Sequence, residues 1–368
     1  MHSSTRIVAA AAAIVVGFIC TKSNTASARP PVSIRTGANT AADGYLEVLP
    51  DEYGAWAQPF ATGGFGPNGD RFKPVGSTLQ PVAFTSGFFL FAPGAQRELL
   101  TDNLDWQATT NGTTGAPPFS ADTSLNRAVT APNVASDSNG DGINDTLQSS
   151  FRVFAPPTSP GTDLGFALRQ RVASGPTGVA FIQQTYTVTN NGTAPITIQM
   201  VRSFDGDLIW DNNFETDSVG TNTAGSAGGP SVFEKEPTST SQAVTLSIPG
   251  GGSYYGGKHG VVPPNGPPNF DFGTDTEVWD NNGTPVSWRN LIAGVGYNTN
   301  GESGPSPIGS TVQRDGFMGL DISMTLPVGG SSTFNVFHTY GSTLPIPEPT
   351  ALGALALGGL MLRRRRTA

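Results

Sequence analysis

The feature that most constrains the fold of this chain is a period-two alternation of apolar and polar residues. Residues 184–189 (QTYTVT) alternate in this way, and residues 196–200 (ITIQM) continue the alternation after an Asn-Asn-Gly-Thr turn. Residues 317–340 repeat the pattern on both sides of a Pro-Val-Gly-Gly turn. A strand with one buried face has this period, and turns rich in Asn and Gly favour tight hairpins. The pattern therefore predicts paired β-hairpins in an antiparallel β-sandwich.

Composition agrees with an all-β fold. The 368 residues include 47 glycines and 30 prolines, and no helical pattern longer than two turns appears between the two ends. Apolar residues are concentrated in short runs rich in Val, Ile, Thr and aromatics, which suit strands. We therefore expect residues 43–344 to form an antiparallel β-sandwich with long Gly-rich loops at 212–230 and 249–274. This body is either one continuous sandwich or two domains divided near residue 150.

Charge and cysteine content exclude some classes of partner. The formal net charge is −8, and the central body is more acidic still, because the C-terminal segment holds a run of arginines. An acidic body does not attract nucleic acid phosphates, so we expect no nucleic-acid partner. The single cysteine, Cys20, lies close to the N-terminus, which leaves the body without a disulfide.

The first 28 residues have the three parts of a secretory signal peptide. An arginine supplies positive charge, an apolar stretch follows, and Ala26-Ser27-Ala28 places small residues before a cleavage point. The apolar stretch is too short for a spanning helix, which needs about 20 residues. We expect signal peptidase to remove residues 1–28, and residues 29–42 to form a flexible arm. A lipoprotein signal at Cys20 is the alternative, but the bulky residue before the cysteine disfavours it.

The C-terminus carries the most specific signal in the sequence. A Pro-Glu-Pro motif precedes an apolar Ala/Leu/Gly run over residues 350–362, and four consecutive arginines follow. Such a run predicts a short hydrophobic helix whose basic end stays on the cytoplasmic side of an inner membrane. The run is short for a stable transmembrane helix, which suits a transient tether that is later cut. The residues of this sorting motif are Pro347, Glu348, Pro349, Arg363, Arg364, Arg365 and Arg366.

This order of motif, apolar run and basic cluster in residues 345–368 resembles the PEP-CTERM sorting signal. The resemblance implies that an exosortase recognises the tail and that cleavage occurs near the motif. It also implies export to the cell envelope or the extracellular space of a Gram-negative bacterium that produces extracellular polysaccharide. The alternative is an ordinary C-terminal anchor in which Pro-Glu-Pro has no role.

Residues 137–145 (DSNGDGIND) have the spacing of a calcium-binding loop. Side-chain oxygens occupy loop positions 1, 3, 5 and 9, a backbone carbonyl serves at position 7, and glycine at position 6 permits the sharp turn. The loop resembles those of dockerins and thrombospondin type 3 repeats, but Gln148 replaces the usual acid at position 12. We expect weak Ca²⁺ binding that stiffens the protein, with a solvated turn as the alternative. The expected ligands are Asp137, Asn139, Asp141, Ile143 (through its carbonyl) and Asp145.

The remaining polar residues give no positive sign of an active site. Acids clustered near strand ends commonly form the turn in which the chain leaves a strand. The two histidines outside the leader lie far apart in the sequence. No nucleophile elbow and no zinc-ligand spacing appears. We therefore expect no catalytic residue and no enzyme activity. The acids are Asp205, Asp207 and Asp211, then Asp271, Asp275, Glu277 and Asp280; the histidines are His259 and His338.

Three functions follow from these features. The leading hypothesis is an exported, non-catalytic surface or matrix protein associated with exopolysaccharide. The alternatives are a secreted carbohydrate-active hydrolase that uses an acidic pair such as Asp205 and Asp211, and a lectin-like module. The lectin hypothesis depends on tryptophan rings that stack on sugars. The more common role of each such ring is to pack at the edge of the hydrophobic core. The tryptophans are Trp56, Trp106, Trp210, Trp279 and Trp288.

Overall fold

The predicted leader, residues 1–28, and the predicted sorting tail, residues 345–368, lie outside the part of the chain that the structure describes. Within the described part there is no helix, and hence none long and apolar enough to span a membrane. The structure, a computed structural model, describes residues 32–57, 60–61, 64–65, 70–92, 95–100, 125–155, 161–206, 208, 210, 217–222, 231–236, 239–250, 254–258, 278–279, 285–286, 298–299, 302–303 and 316–344.

Every element of the described residues is a β-strand. The strands in chain order are β1 (Ile34–Arg35), β2 (Leu46–Val48), β3 (Trp56–Ala57), β4 (Phe60–Ala61), β5 (Gly64–Phe65), β6 (Asp70–Phe72), β7 (Ala83–Ala92), β8 (Ala95–Leu100), β9 (Asn126–Ser136), β10 (Thr146–Phe154), β11 (Asp163–Ser174), β12 (Ala180–Asn190), β13 (Ile196–Gly206), β14 (Ser218–Asn222), β15 (Ser231–Lys235), β16 (Ala243–Ser247), β17 (Tyr254–Lys258), β18 (Val278–Trp279), β19 (Pro285–Val286), β20 (Asn298–Thr299), β21 (Glu302–Ser303), β22 (Gly316–Leu326) and β23 (Ser331–Tyr340).

Two antiparallel sheets form a sandwich. One has eight strands in the order β14-β15-β16-β23-β12-β11-β10-β9, and the other has the order β17-β22-β13-β7-β3 with β8 also paired to β7. Their apolar faces meet in a single core, where the Phe88 ring on β7 lies 4.8 Å from the Tyr186 ring on β12 and 6.0 Å from the Phe334 ring on β23. The prediction of an all-β antiparallel sandwich is confirmed. Strand β10 runs through residue 150 and lies between β9 and β11 in the eight-stranded sheet.

The two turns that were predicted to close hairpins instead carry the chain from one sheet to the other. The Asn-Asn-Gly-Thr turn joins β12 of the eight-stranded sheet to β13 of the six-stranded sheet, and the Pro-Val-Gly-Gly turn joins β22 to β23 in the reverse direction. In register, β12 pairs with β23 and β13 pairs with β22. The hairpin prediction was wrong because alternation shows which face of a strand is buried and does not show which strand lies beside it.

Asn190 holds these two turns together at the point where the strands leave their sheets. Its side-chain Nδ2 donates to the carbonyl of Ala194 at 2.8 Å and to that of Leu326 at 3.1 Å. Its backbone N–H donates to the carbonyl of Gly330 at 2.9 Å. Because backbone groups at a sheet end lack ladder partners, this buried amide supplies the partners that they need.

The segment predicted to be a flexible arm, in its described part, joins the core. Strand β1 pairs with β2 through Ile34 and Val48, and Ile34 is fully buried. The N–H of Arg35 donates to the carbonyl of Asn144 at 3.0 Å, which links this segment to the loop at residues 137–145.

Residues 50–57, which are irregular up to β3 at Trp56–Ala57, pack against strands of both sheets. The carbonyl of Gly54 accepts hydrogen bonds from Gln184 Nε2 at 2.8 Å and from Arg202 Nη1 at 2.9 Å, and the carbonyl of Tyr53 accepts one from Tyr186 Oη at 2.9 Å. Buried carbonyls outside a ladder must find other partners, and here the side chains of both sheets supply them. The segment is therefore part of the core.

Candidate functional site

The candidate calcium loop, residues 137–145, connects β9 to β10 at one end of the eight-stranded sheet. It is tied to other parts of the sandwich by its backbone carbonyls. The carbonyl of Asn144 accepts from the N–H of Arg35 at 3.0 Å, and that of Asp145 accepts from the N–H of Val172 at 2.9 Å. A ligand bound in the loop would therefore act on two other segments of the chain, at Arg35 and at Val172.

Asp137 and Asn139 fold the loop through side-chain to backbone hydrogen bonds. Asp137 Oδ1 accepts the N–H of Gly140 at 2.6 Å, its Oδ2 accepts the N–H of Gly142 at 2.7 Å, and Asn139 Oδ1 accepts the N–H of Asp141 at 3.0 Å. Both glycines have positive φ, at 80° and 84°, which residues with a Cβ rarely adopt. The backbone N–H groups, that of Gly142 first, hold the pKa of Asp137 below its ordinary value.

Asp145, the ninth residue of the loop, is turned toward the sheet. Its buried carboxylate accepts hydrogen bonds from the N–H of Ser138 at 2.9 Å, from Ser138 Oγ at 2.7 Å and from Thr146 Oγ1 at 3.0 Å. Burial acts to raise its pKa, but these hydrogen bonds and the charge of Arg171 outweigh burial and lower it. Asp145 is therefore ionised and already hydrogen-bonded at the base of the loop.

The predicted calcium ligands share one loop, but their carboxylates do not converge on one point. Among the residues that the structure describes, no three acids, histidines or cysteines are placed so that they could hold a metal ion. Asp137, Asn139 and Asp141 lie on the solvent side of the loop, whereas Asp145 faces the sheet. Gln148, at the twelfth position, is a residue of β10. An ion bound here would take its side-chain oxygens mainly from the solvent side, and water would complete its coordination.

Calcium is expected to stabilise the protein through this loop. For a dissociation constant of about 10⁻⁴ to 10⁻³ M, about 10 mM calcium should raise the free energy of unfolding by about 1.4 to 2.7 kcal/mol. Asp137→Asn keeps a turn-forming side chain but removes a charge, so it should abolish most of this increase. Urea unfolding with calcium and with magnesium measures the effect.

The matched control for this prediction is Asp43→Asn, which changes an exposed acid outside the loop. It should leave the calcium response as it is in the wild type. If the two variants respond to calcium equally, the loop is not the site.

The acidic group at residues 205–211 begins at the end of β13, and its side chains lie outside the described part of the structure. Three buried acids that sequence reasoning missed hold the backbone there. Asp217, Glu234 and Glu236 accept backbone N–H groups of residues 206–210 at distances between 2.9 and 3.2 Å. In sequence, the Glu-Lys-Glu stretch looks like an exposed strand end, so only the tertiary contacts identify its role. The second acidic group, at residues 271–280, has no described side chain.

His338 lies on β23 and is fully buried, while His259 is outside the described residues. The Nε2 of His338 accepts a hydrogen bond from Arg202 Nε at 3.0 Å, and the His338 ring lies 4.9 Å from that of Trp56. Burial, followed by the neighbouring guanidinium, keeps the pKa of His338 well below its ordinary value. The imidazole is therefore neutral, and its hydrogen bond contributes to the packing of the core.

The tryptophan side chains that the structure describes pack on the core. Trp56 is 3% exposed, and the guanidinium of Arg202 lies 4.6 Å from its ring centroid. Trp210 is half-buried, its ring lies 6.1 Å from that of Phe72, and its Nε1 donates to the carbonyl of Thr78 at 3.1 Å. Both rings are used in packing, which is the more common role of a sandwich tryptophan. The side chains of Trp106, Trp279 and Trp288 lie outside the described residues.

Comparisons with known proteins add little to this geometry. No protein family and no curated protein matches the sequence. Among solved structures, one match is a protein described as a kojibiose phosphorylase from the human microbiome, with 9% identity and a TM-score of 0.36. The match covers 91% of this chain but only 37% of that protein, so this chain spans little more than a third of its length. A likeness at this level does not extend a fold or an activity to the present chain.

Proposed function

We propose that this chain is an exported, non-catalytic protein of the cell surface or extracellular matrix. Signal peptidase and an exosortase act on it during export, and its C-terminal tail serves as a transient inner-membrane tether. The observation that carries the proposal is the ordered Pro-Glu-Pro motif, apolar run and arginine cluster in residues 345–368. In its mature location the protein is associated with exopolysaccharide, and weakly bound calcium stiffens its sandwich.

The position of the last strand supports a tail that can be cut without damage to the fold. Strand β23 lies between β12 and β16 inside the eight-stranded sheet and ends at the buried Tyr340. The N–H of Gly341 still donates to the carbonyl of Ala243 at 2.8 Å. The described core therefore ends a few residues before Pro347, and cleavage near the motif would leave all of its described residues in place.

The roles of the described polar groups favour a non-catalytic protein. His338 is neutral and buried, Asp70 accepts two backbone N–H groups and the Tyr340 hydroxyl, and Asp163 is paired with Arg152 at 2.6 Å. Catalytic acids and bases need access to substrate and a proton to exchange. Each of these groups instead contributes to the structure of the sandwich.

The test of the proposal separates sorting from simple anchoring. Changing Pro347, Glu348 and Pro349 to alanine keeps the apolar run and the arginines but removes the motif, so in a host with an exosortase the protein should keep its tail and remain at the inner membrane. Intact-mass measurement and cell fractionation report the outcome. An identical triple change in the loop at Pro74, Val75 and Gly76 is the control and should leave processing normal. If the motif variant is cut and located like the wild type, or if wild-type protein retains Ala368, the sorting proposal fails.

A further inference from the structure

The outer face of one half of the eight-stranded sheet differs in charge from the rest of the chain. The whole sequence has 28 acidic and 20 basic residues. The adjacent strands β9, β10, β11, β12 and β23 contain four arginines and a single acid, Asp163. Arg127 lies opposite the buried Val153 and over the Tyr53 ring, so three of the four arginines face outward. An acidic protein that keeps five neighbouring strands almost free of carboxylates presents a region that does not repel an anion. We call the outward-facing residues of these strands the sheet platform.

Several side chains near the centre of the sheet platform are short. Ala167 and Arg169 alternate with buried residues along β11, and the register places Ser150 and Thr187 on the two sides of Ala167. Five strands at the usual spacing extend about 19 Å from the first to the last. An open face of this width suits an extended polymer better than a small ligand, which needs a concave pocket.

Hydroxyl groups cover one side of the sheet platform in cross-strand pairs. Thr187 Oγ1 lies 2.9 Å from Thr333 Oγ1, and Thr189 Oγ1 lies 2.8 Å from Ser331 Oγ, in both cases exposed to solvent. Each pair shares one hydrogen bond, which leaves one hydroxyl hydrogen and several lone pairs available. Such pairs can both donate to and accept from the hydroxyl groups of a sugar.

The charged groups of the sheet platform include one exposed guanidinium that has no ion pair within the described residues. Arg152 is paired with Asp163, and the charge of Arg171 acts on Asp145. Arg169 is exposed, and within the described residues no ion pair to it occurs. Its register neighbours are Gln148 and Thr185, so a cation lies between an amide and a hydroxyl group. A guanidinium binds a carboxylate in a bidentate manner.

We propose that the sheet platform binds an extended, carboxylate-bearing polysaccharide, with Arg169 at a sugar carboxylate and the threonine pairs at neighbouring sugar hydroxyls. The proposal rests on the proposed function, since it names the kind of exopolysaccharide with which the exported protein is associated. The charge of the strands favours this partner over a neutral glycan. The scarcity of bases disfavours nucleic acid, which is held through many phosphate contacts.

Affinity electrophoresis of the purified protein in gels that contain polygalacturonate or neutral dextran tests the proposal. The wild type should be retarded by polygalacturonate only, and less so as salt increases. Arg169→Glu should weaken binding at least about tenfold, because a charged hydrogen bond is lost and a repulsive charge replaces it. Arg169→Lys should retain part of the affinity.

The opposite sheet supplies a matched control. On the outer side of β13 and β22, Thr197 Oγ1 lies 2.9 Å from Thr325 Oγ1 and is exposed. Thr187 and Thr333 form the equivalent pair on the eight-stranded sheet, at the same distance. Thr187→Glu should weaken binding, whereas Thr197→Glu should have no effect. Equal weakening by both variants, or no retardation of the wild type, would overturn the proposal. So would a wild-type dimer that Arg169→Glu converts to a monomer, because the face would then bind a second copy.

Processing of the tail in Arg169→Glu distinguishes this proposal from the proposed function. Normal processing with lost retardation supports both. Retardation of a wild-type protein that is never processed supports the sheet platform and removes the sorting proposal. Normal processing of a wild type that no carboxylated polysaccharide retards removes only the sheet platform.

Discussion

Arg202→Met is expected to lower the free energy of unfolding by about 3 kcal/mol. The guanidinium is fully buried between the sheets and donates to Gly54 O at 2.9 Å, to His338 Nε2 at 3.0 Å and to Ser86 Oγ. It also lies 4.6 and 5.2 Å from the ring centroids of Trp56 and Phe88. Methionine fills much of the volume but leaves these acceptors with fewer donors and removes both cation–π contacts.

The cost of burying the Arg202 charge limits the loss of stability expected for Arg202→Met. Burial, the largest influence, lowers the pKa of Arg202 to about 10, so the charged form is less favourable there than in water. A neutral replacement removes that cost, and for this reason we expect a smaller loss than the sum of the broken contacts. Arg202→Lys still buries a charge but lacks the planar guanidinium that donates to several acceptors at once. It should therefore destabilise the protein at least as much as Arg202→Met.

Urea unfolding followed by tryptophan fluorescence measures the loss as a shift of the midpoint at constant slope. Arg169→Met is the control, because Arg169 is exposed on β11 of the other sheet and its replacement should change stability by no more than about 0.5 kcal/mol. An Arg202→Met protein as stable as this control would show that the buried guanidinium does not hold the sheets and residues 50–57 together.

Gly54→Ala is expected to cost about 3 kcal/mol. Gly54 has φ of +85°, in the left-handed region that residues with a Cβ rarely adopt. A Cβ there would lie 2.7 Å from Gln184 Nε2, 3.0 Å from Leu168 Cδ2 and closer still to Tyr186 Oη. Gln184 and Tyr186 donate to the carbonyls of residues 54 and 53, so these two side chains cannot withdraw without breaking the contacts that hold the segment.

Gly76→Ala separates backbone strain from crowding. Gly76 has φ of +70°, and a Cβ there would meet nothing within 4 Å. Its substitution should cost only about 1 kcal/mol, the strain of the conformation alone. Thermal or urea unfolding of both variants gives the difference, which should be about 2 kcal/mol. Equal losses in the two variants would contradict the close packing of residues 50–57 against both sheets.

Strands such as β12 and β23 could be predicted from local sequence because each has one apolar face. The alternation at residues 184–189 appears in the structure as alternate burial along β12, and the same holds for β23 up to Asn335. The partner of each strand could not be predicted in this way. An Asn-Gly turn after an alternating strand is compatible with a hairpin and with a crossing between sheets, and here it makes the crossing.

The candidate site, like the strands, could be predicted only in part from the sequence. The spacing of residues 137–145 identified the loop, since the hydrogen bonds within it run between residues at most seven positions apart. The inward direction of Asp145 depends on Ser138 and on the sheet below it, which spacing does not describe. The three acids that hold residues 206–210 gave no local signal, because their partners lie up to 28 positions away.

By itself the sequence determined the all-β class, the buried face of alternating strands such as β12 and the tail motif on which the proposed sorting depends, because these are set by neighbouring residues and their periodicity. The tertiary structure alone decided which strands pair, that residues 50–57 enter the core, and that five strands form an almost acid-free face. The physical reason is that these features arise from contacts between distant residues, such as Gln184 and Gly54, 130 positions apart. Such contacts form only when the two sheets close on one another, and no local pattern records them.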